Sequence, residues 1–299
     1  YTGSETLELI QRTRATAAVV AGNFLGSERI ADLTAAADGS LAAATDLKTL
    51  IRIPLDGGDS ATADVVVVDF SDLQAQATAT LLEQADARAD AVTGDDVADI
   101  LFTSGTTGKS KGVVALHRQT IAGAHAWGSN GRLGEADRYL IVNPFFHTFG
   151  YKAGWVTCLI AGATVLPHPV FDAEAVFGRI EADRISVLPG PPTLYLTMLA
   201  HPKLATTDLS TLRIAVTGAS TIPPVLIERM RKELGLEVVL TAYGLTECGG
   251  LATICEADDD AETVALTSGH AIPGTEVRIV DADNQPLAGQ PSSSSKIVG

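Results

Sequence analysis

The residue types that suit phosphate binding are densest between Phe102 and Gly112, in the run FTSGTTGKSKG. Its glycines let the backbone curl so that successive N–H groups point at phosphate oxygens. Its small hydroxyl residues add hydrogen-bond donors, and Lys109 and Lys111 add positive charge. Coming directly after the apolar run ADILF, the segment predicts a loop that binds a polyphosphate.

Two other interpretations are compatible with parts of this run. Gly108-Lys109-Ser110 looks like the end of a Walker A loop, but that motif requires glycine at position 103, where this chain has threonine. The other alternative is an ordinary Gly/Ser/Thr surface turn. The length of the run and its place after a strand favour phosphate binding.

Three further segments carry chemistry-bearing residues. Asn143–Gly150 (NPFFHTFG) places His147 among aromatic residues, Thr217–Ser220 (TGAS) lies at a strand end, and Tyr243–Glu247 (YGLTE) follows a strand. A phenol ring can stack on a purine, a hydroxyl can contact a phosphate, and a carboxylate can hold Mg²⁺. Taken singly, these segments fit a core histidine, a tight strand-to-helix turn and an incidental acidic loop equally well.

Together, the segments resemble the adenylate-forming (AMP-binding) superfamily of acyl-CoA synthetases, luciferase-like enzymes and peptide-synthetase adenylation domains. The run FTSGTTGKSKGV is similar to the family signature [Y/F]TSGTTGxPKG, with Ser110 where proline is usual, and YGLTE matches YGxTE. SGHAIPG, starting at Ser268, is similar to the family's GxxxPG turn. The matches run from about Ala98 to Asp281.

The resemblance implies roles for individual residues. Thr246, Glu247 and His147 become catalytic candidates, with Glu247 holding Mg²⁺ and His147 at the junction of the acyl and nucleotide pockets. The residues implied to contact ATP are Thr103, Ser104, Gly105, Thr106, Thr107, Gly108, Lys109, Lys111, Gly218, Ala219, Ser220, Tyr243 and Gly244. The acyl pocket is expected to be walled by Phe145, Phe149, Gly150 and the stretch 189–195.

Apolar runs that alternate with helical patterns must position these segments. The expected strands are Ala17–Ala21, Asp64–Phe70, Ala98–Thr103, Tyr139–Asn143, Ala163–Pro167, Ile185–Leu188, Arg213–Thr217 and Glu237–Thr241, and the clearest helices are Phe171–Asp183 and Pro224–Leu234. This alternation predicts an α/β fold, with mainly parallel sheets covered by helices and ligands bound beyond the carboxyl ends of the strands.

The bulk composition excludes several classes of function. Of the 299 residues, 46% are hydrophobic, and the formal net charge is −15, which argues against a nucleic-acid partner. The longest apolar run, Ala153–Pro167, is too short to cross a bilayer, so no integral membrane segment is expected. Three cysteines without a CxxC pair indicate reduced thiols and a cytoplasmic location.

We expect an α/β AMP-binding core over residues 1–270, truncated at its N-terminal end, and the start of a small β-rich subdomain over 271–299. A strand, a turn near Asp281–Asn284 and a second strand should open that subdomain. In the family that this chain resembles, a C-terminal catalytic domain follows the AMP-binding core. We expect that domain to be absent here, and we therefore expect little or no turnover from this chain.

The sequence therefore predicts an acyl-CoA synthetase that uses ATP, Mg²⁺ and coenzyme A on a small carboxylic acid. Segments such as FFHTFGYKAGW resemble the corresponding sequences of actinobacterial CoA ligases for fatty or steroid-derived acids. The alternatives are an acyl-AMP ligase that loads a carrier protein and an inactive nucleotide-binding module. The sequence does not determine the oligomeric state, and a homodimer is the one assembly considered.

Overall fold

A computed structural model of the chain describes residues 1–57, 60–103, 110–218, 222–281, 283 and 285. The chain divides into two units, Tyr1–Val92 and Thr93–Gly299. The predicted motifs all lie in the second unit.

The first unit is organised by a three-stranded parallel sheet in the order β1-β4-β5. Its core consists of apolar residues, including Ile10, Ile30, Leu33 and Leu50, that come from the helices and the central strand. The elements are α1 (Gly3–Thr13), β1 (Ala17–Ala21), β2 (Asn23–Phe24), β3 (Ser27–Glu28), α2 (Arg29–Ala36), α3 (Leu41–Ala44), β4 (Thr49–Ile53), β5 (Val66–Asp69), α4 (Leu73–Gln76) and α5 (Ala79–Ala91).

The second unit begins with an antiparallel pair of strands and continues as alternating helices and strands. Its elements are β6 (Val97–Thr103), β7 (Lys111–Leu116), α6 (His117–Asn130), β8 (Arg138–Ile141), α7 (Thr148–Gly150), a π-helical turn (Tyr151–Val156), α8 (Thr157–Ala161), β9 (Thr164–Pro167), α9 (Ala173–Ala182), α10 (Pro192–Leu199), β10 (Ile214–Gly218), α11 (Pro224–Leu234), β11 (Val238–Tyr243), β12 (Thr253–Ile254), α12 (Ala261–Leu266) and β13 (His270–Ala271).

The central sheet of the second unit is mostly parallel. β9 pairs with β8, single parallel bridges at Val187 join β8 to β10, and β10 pairs with β11. The short strands β12 and β13 add antiparallel to the edge. The carboxyl ends of β8, β10 and β11 therefore point in one direction, where ligands of open α/β sheets bind.

Helix boundaries follow local sequence signals. Asp172 caps α9 by accepting a hydrogen bond from the Ala175 N–H at 2.8 Å. α11 begins at Pro224 and ends before Gly235, which adopts the left-handed conformation. Both ends of α11 agree with the predicted helix.

Two predicted strands differ from the structure. Ile185–Leu188 is not a full strand, because only Val187 forms bridges, to Tyr139 and to Ile214. The Leu188 and Gly190 N–H groups still donate to the Ile214 and Val216 carbonyls at 3.0 Å, but Pro189 and Pro191 have no N–H with which to extend the ladder. Residues 275–279 form no strand, and Val280 is a single bridge residue. The Asp281 N–H does donate to the Gln285 carbonyl at 2.9 Å, so the chain turns there, while Ala282 and Asn284 lie outside the described residues.

The apolar run that ends at Pro167 lies in the core of the second unit, where Ala153 and Cys158 are buried. Burial raises the pKa of the Cys158 thiol to about 12, so this cysteine stays protonated. Within the described part of the chain, no helix is both long and apolar enough to cross a membrane.

Candidate functional site

The β6–β7 hairpin carries the predicted phosphate loop. Thr103 ends β6 and pairs across the hairpin with Lys111, the first residue of β7. Their side chains line a common cavity, with Lys111 exposed and Thr103 half-buried. Ser104, Gly105, Thr106, Thr107, Gly108 and Lys109 lie outside the described residues.

A second wall of the cavity comes from the carboxyl ends of β10 and β11. Thr217 pairs in register with Thr241, and Gly218 pairs with Ala242. A Cβ atom on Gly218 would lie 3.0 Å from the Ala242 carbonyl oxygen, so a larger residue would crowd the neighbouring strand. Ala219 and Ser220 lie outside the described residues.

The YGLTE segment forms the turn that leaves β11. Tyr243 is 51% exposed, and Thr246–Cys248 forms a short 3₁₀ helix. Gly244 packs so closely on the Gly250 carbonyl that any side chain there would overlap it. The Glu247 side chain is exposed and takes part in no described hydrogen bond or ion pair, which leaves its carboxylate available to a cation.

His147 lies at the start of α7, and its ring is fixed by a local hydrogen bond. The Phe149 N–H donates to His147 Nδ1 at 3.1 Å. Because Nδ1 is the acceptor, the neutral ring carries its proton on Nε2. His147 lines the cavity, so an Nε2 donor is available at this wall.

An aromatic wall closes another side of the cavity. The rings of Trp127 and Phe149 meet edge-to-face with their centroids 5.4 Å apart. Trp127 Nε1 donates to the Tyr139 hydroxyl at 3.3 Å, and that hydroxyl donates to the Ala153 carbonyl at 2.7 Å. Burial raises the pKa of Tyr139 far above its ordinary value, so the phenol remains a donor and holds the indole in place.

The cavity has a volume of about 680 Å³, within the range typical of small-molecule sites. Eight of the residues predicted to be catalytic or to contact ATP line it together: Thr103, Lys111, His147, Gly218, Tyr243, Gly244, Thr246 and Glu247. The topology thus gathers motifs from four separate segments around one space.

The expected acyl wall is only partly at this cavity. Phe149 lines it, whereas Phe145 is 46% exposed and Gly150 is buried, and neither is among the cavity-lining residues. No residue of the stretch 189–195 lines the cavity in the described structure. The Tyr195 hydroxyl instead donates to the Leu188 carbonyl at 2.7 Å within the core.

Sequence reasoning missed a buried ion pair between Asp99 and Lys152. Lys152 Nζ lies 3.2 Å from Asp99 Oδ2, and their side chains are only 4% and 12% exposed. Thr120 Oγ1 also donates to Asp99 Oδ2 at 3.2 Å. Burial, and then the Asp99 charge, raise the pKa of Tyr151. The available signals were a lysine in an apolar segment and an aspartate inside a strand.

The pair joins two cavity-forming elements. Asp99 lies on β6, which leads to the phosphate loop, and Lys152 lies in the π-helical turn that follows α7. A buried charge left without its partner is costly, so this pairing fixes β6 relative to the segment that carries His147.

No group of three or more His, Cys, Asp or Glu side chains within the described ranges could hold a metal ion. Glu247 is the carboxylate that lines the cavity. A single carboxylate suits Mg²⁺, which commonly keeps waters and takes its other ligands from substrate phosphates.

With this geometry in place, comparison with known proteins identifies the family. The model of the AMP-binding enzyme family matches residues 7–292. The chain belongs to the AMP-binding enzyme family. The resemblance inferred from the sequence motifs is therefore confirmed.

Two curated relatives are similar over nearly the whole chain. Both are named "3-[(3aS,4S,7aS)-7a-methyl-1,5-dioxo-octahydro-1H-inden-4-yl]propanoyl:CoA ligase". The protein from Rhodococcus jostii (strain RHA1) is 52% identical over 94% of this chain and 53% of its own length. The protein from Mycobacterium tuberculosis (strain ATCC 25618 / H37Rv) is 47% identical over 97% of this chain and 54% of its own length. The chain thus spans about half the length of these relatives.

Solved structures confirm the fold. The anthranilate CoA ligase AuaEII, in complex with anthranoyl-AMP, superposes with a TM-score of 0.77 at 21% identity, over 96% of this chain and 51% of that one. A benzoate CoA ligase from Burkholderia xenovorans LB400 gives a TM-score of 0.72 at 22% identity, over 96% and 52%. The predicted α/β class with mainly parallel sheets is therefore correct.

Proposed function

We propose that the protein containing this chain activates a carboxylic acid with ATP and transfers the acyl group to coenzyme A. The observation that carries the proposal is the single cavity shared by the phosphate-loop ends, the YGLTE turn and the aromatic wall. Polar and charged groups suit a nucleotide, while Trp127 and Phe149 suit an apolar acyl group.

The reaction has two displacements. A carboxylate oxygen attacks the α-phosphorus of ATP, the bond from that phosphorus to the bridging oxygen breaks, and pyrophosphate leaves. The thiol sulfur of coenzyme A then attacks the acyl carbon, and the bond from that carbon to the AMP oxygen breaks. Both displacements build negative charge, which positioned donors and cations stabilise.

The residues around the cavity take separate roles in this proposal. Thr103 and Lys111, with the intervening 104–109, bind the β- and γ-phosphates through hydroxyls, amides and charge. The Thr246 hydroxyl contacts the α-phosphate. Bound Mg²⁺ held by Glu247 would neutralise polyphosphate charge.

The remaining assignments concern adenine and the acyl junction. Tyr243, which is half exposed at the end of β11, stacks on the purine, and Gly244 allows the close turn beside it. Gly218, with Ala219 and Ser220, flanks the ring. His147 presents its Nε2 proton where the carboxylate meets the nucleotide.

Coenzyme A is favoured over a carrier protein as the acceptor because the relatives at 52% and 47% identity are named CoA ligases. The names of these relatives specify a propanoyl arm on a dioxo-octahydroindene ring. A fused-ring acid is therefore proposed as the substrate class rather than a straight fatty acid. A cytoplasmic location and a homodimer remain predictions.

Calorimetric titration of this chain tests the nucleotide assignment. Mg·ATP and an acyl-sulfamoyl adenosine, which mimics acyl-AMP without a polyphosphate, should both bind. Glu247→Gln should weaken Mg·ATP about tenfold and change the affinity for the mimic little, because only Mg·ATP needs a cation there. Glu237→Gln, an exposed carboxylate outside the cavity, is the matched control.

Unchanged Mg·ATP affinity in Glu247→Gln would remove this residue from the proposal, and absence of binding by either ligand would refute the nucleotide cavity. In the full-length protein, Glu247→Gln should also suppress carboxylate-dependent pyrophosphate exchange. A parallel assay with coenzyme A and with a phosphopantetheinyl carrier protein decides the acceptor.

A further inference from the structure

Two buried hydroxyls in the cavity wall have no hydrogen-bond partner. Among the described residues, seven buried side-chain polar atoms have no such partner, and two of them are Thr217 Oγ1 and Thr241 Oγ1. Both threonines line the cavity, whereas none of the residues that carry the other five atoms does. Of the unsatisfied atoms, these two hydroxyls are therefore the ones at the proposed site.

The two threonines also form a geometric pair. They are register partners on adjacent parallel strands, so their side chains point to the same face of the sheet. Neighbouring strands lie about 4.8 Å apart. Two hydroxyls at that spacing can both donate to one oxygen placed between them, at ordinary hydrogen-bond lengths of about 2.8 Å.

Both threonines are buried residues of the cavity wall. Thr217 and Thr241 are 1% and 8% exposed, whereas Tyr243, two residues further along β11, is 51% exposed. Lys111 and Glu247, the groups proposed to face the polyphosphate, are also exposed. The threonine pair is therefore enclosed, as Trp127 is, and suits the part of a ligand that lies farthest from solvent.

A ketone oxygen has the chemistry that this pair requires. It accepts two hydrogen bonds and donates none, so it satisfies both hydroxyls at once. A saturated ring or an alkyl chain offers no acceptor and would leave both hydroxyls unsatisfied, which sites built for hydrogen bonding penalise.

We propose that Thr217 and Thr241 are specificity-determining residues that together recognise a carbonyl oxygen on the ring of the acyl group. The inference rests on the proposed function and narrows its substrate class to carboxylic acids that bear a ketone. It agrees with the name of the two relatives, in which the acid carries two oxo groups.

The test uses two acyl-sulfamoyl adenosines and calorimetry on this chain. One acyl group is a propanoyl-substituted octahydroindene with ring ketones, and the other is the same ring system with CH₂ in place of each C=O. The unsubstituted chain should bind the ketone probe at least tenfold more tightly. Thr217→Val and Thr241→Val should each weaken the ketone probe about five- to tenfold and leave the CH₂ probe unchanged.

The unfolding temperature of the valine variants distinguishes recognition from a structural role. If the threonines were purely structural, replacing them with valine would lower the unfolding temperature. Replacing an unpartnered buried hydroxyl with a methyl group removes an uncompensated polar atom, so both valine variants should unfold at an equal or higher temperature. Thr157→Val is the matched control, because its buried hydroxyl donates to the Lys152 carbonyl at 2.8 Å. It should lower the unfolding temperature and leave the probe preference intact.

The outcomes separate this inference from the proposed function. Equal affinity for the two probes, or a ketone preference that survives both valine substitutions, would overturn the threonine assignment while the nucleotide cavity stands. Failure to bind Mg·ATP and either probe would overturn both. Valine variants that lose stability and weaken both probes alike would show that the hydroxyls serve the fold alone.

Discussion

The two ends of the central sheet in the second unit are built in opposite ways. At the amino-terminal end, buried Asp137 accepts hydrogen bonds from Arg213 Nε and Nη2 at 3.0 and 2.5 Å, from the Ser186 hydroxyl at 2.7 Å and from the Gly134 N–H at 2.9 Å. At the carboxyl end, the Thr217 and Thr241 hydroxyls are buried without partners.

This contrast indicates that the amino-terminal end of the sheet serves stability and that the carboxyl end serves binding. The Asp137 cluster ties the start of β10 to the loop before β8, and its hydrogen bonds use both carboxylate oxygens. The opposite end leaves donors unused and relies on glycines for close approach, as a site that must accept a ligand requires. Substitutions at the two ends should therefore have different consequences.

The largest effect on stability is expected at the amino-terminal end. Asp137→Ala removes the acceptor for Arg213 and Ser186 and leaves a partly buried cation unpaired. We expect a loss of about 4 kcal/mol in the free energy of unfolding, measured by urea denaturation. Because the cavity lies at the other end of the strands, the remaining folded protein should bind Mg·ATP with unchanged affinity.

Asp258→Ala is the matched control for this prediction, since the Arg132–Asp258 pair is solvent-exposed and should contribute nothing measurable. If Asp137→Ala unfolds at the same urea concentration as the unsubstituted chain, the cluster does not stabilise the sheet. If it instead weakens Mg·ATP at full stability, the division between the two ends is wrong.

The sequence predicted the local features of this arrangement better than the long-range ones. α11 and most strand positions follow from short signals such as Pro224, Gly235 and alternating apolar runs. β7 was missed because Lys111 and Gly112 belong to the phosphate motif, and only pairing with β6 makes that segment a strand. Hydrogen bonding to a partner strand decides such elements, and the residue pattern within the segment itself does not contain it.

The same limit applies to the site. The motif residues could be predicted because each belongs to a short contiguous pattern, and Tyr243 and Glu247 do line the cavity. The pairing of Thr217 with Thr241 depends on the register of two strands separated by α11. The Asp99–Lys152 pair depends on packing between distant segments, so neither sequence neighbourhood contains its partner.

The second prediction concerns the cavity end, with a smaller expected effect on stability. In Gly244→Ala, the new methyl group would overlap the Gly250 carbonyl, so the YGLTE turn must shift. We expect a loss of about 2 kcal/mol in unfolding free energy and at least a tenfold loss of Mg·ATP affinity, measured by denaturation and calorimetry.

Gly134→Ala is the control at the opposite end, because nothing lies within 4 Å of a Cβ atom at that position. It should leave both measurements unchanged. Full Mg·ATP affinity in Gly244→Ala would mean that the turn adapts freely, and the close contact with Gly250 would then have no bearing on binding.

The smallest effect is the pH dependence of the amino-terminal end. Desolvation of Asp137 acts to raise its pKa, but hydrogen bonds from Arg213, Ser186 and the Gly134 N–H outweigh it, so the pKa is lowered. A carboxyl group whose pKa is lower in the folded state stabilises the fold above its unfolded pKa of about 3.9. That stabilisation disappears as the pH falls through the folded pKa.

The difference in unfolding free energy between the unsubstituted chain and Asp137→Ala should therefore be constant from about pH 7 to 5 and shrink below about pH 4. Its slope there cannot exceed about 1.4 kcal/mol per pH unit, the value for one proton. Urea denaturation at a series of pH values measures it. A difference that stays constant to pH 3 would mean that Asp137 acts through packing and not through its charge, and the two ends of the sheet would then differ in shape alone.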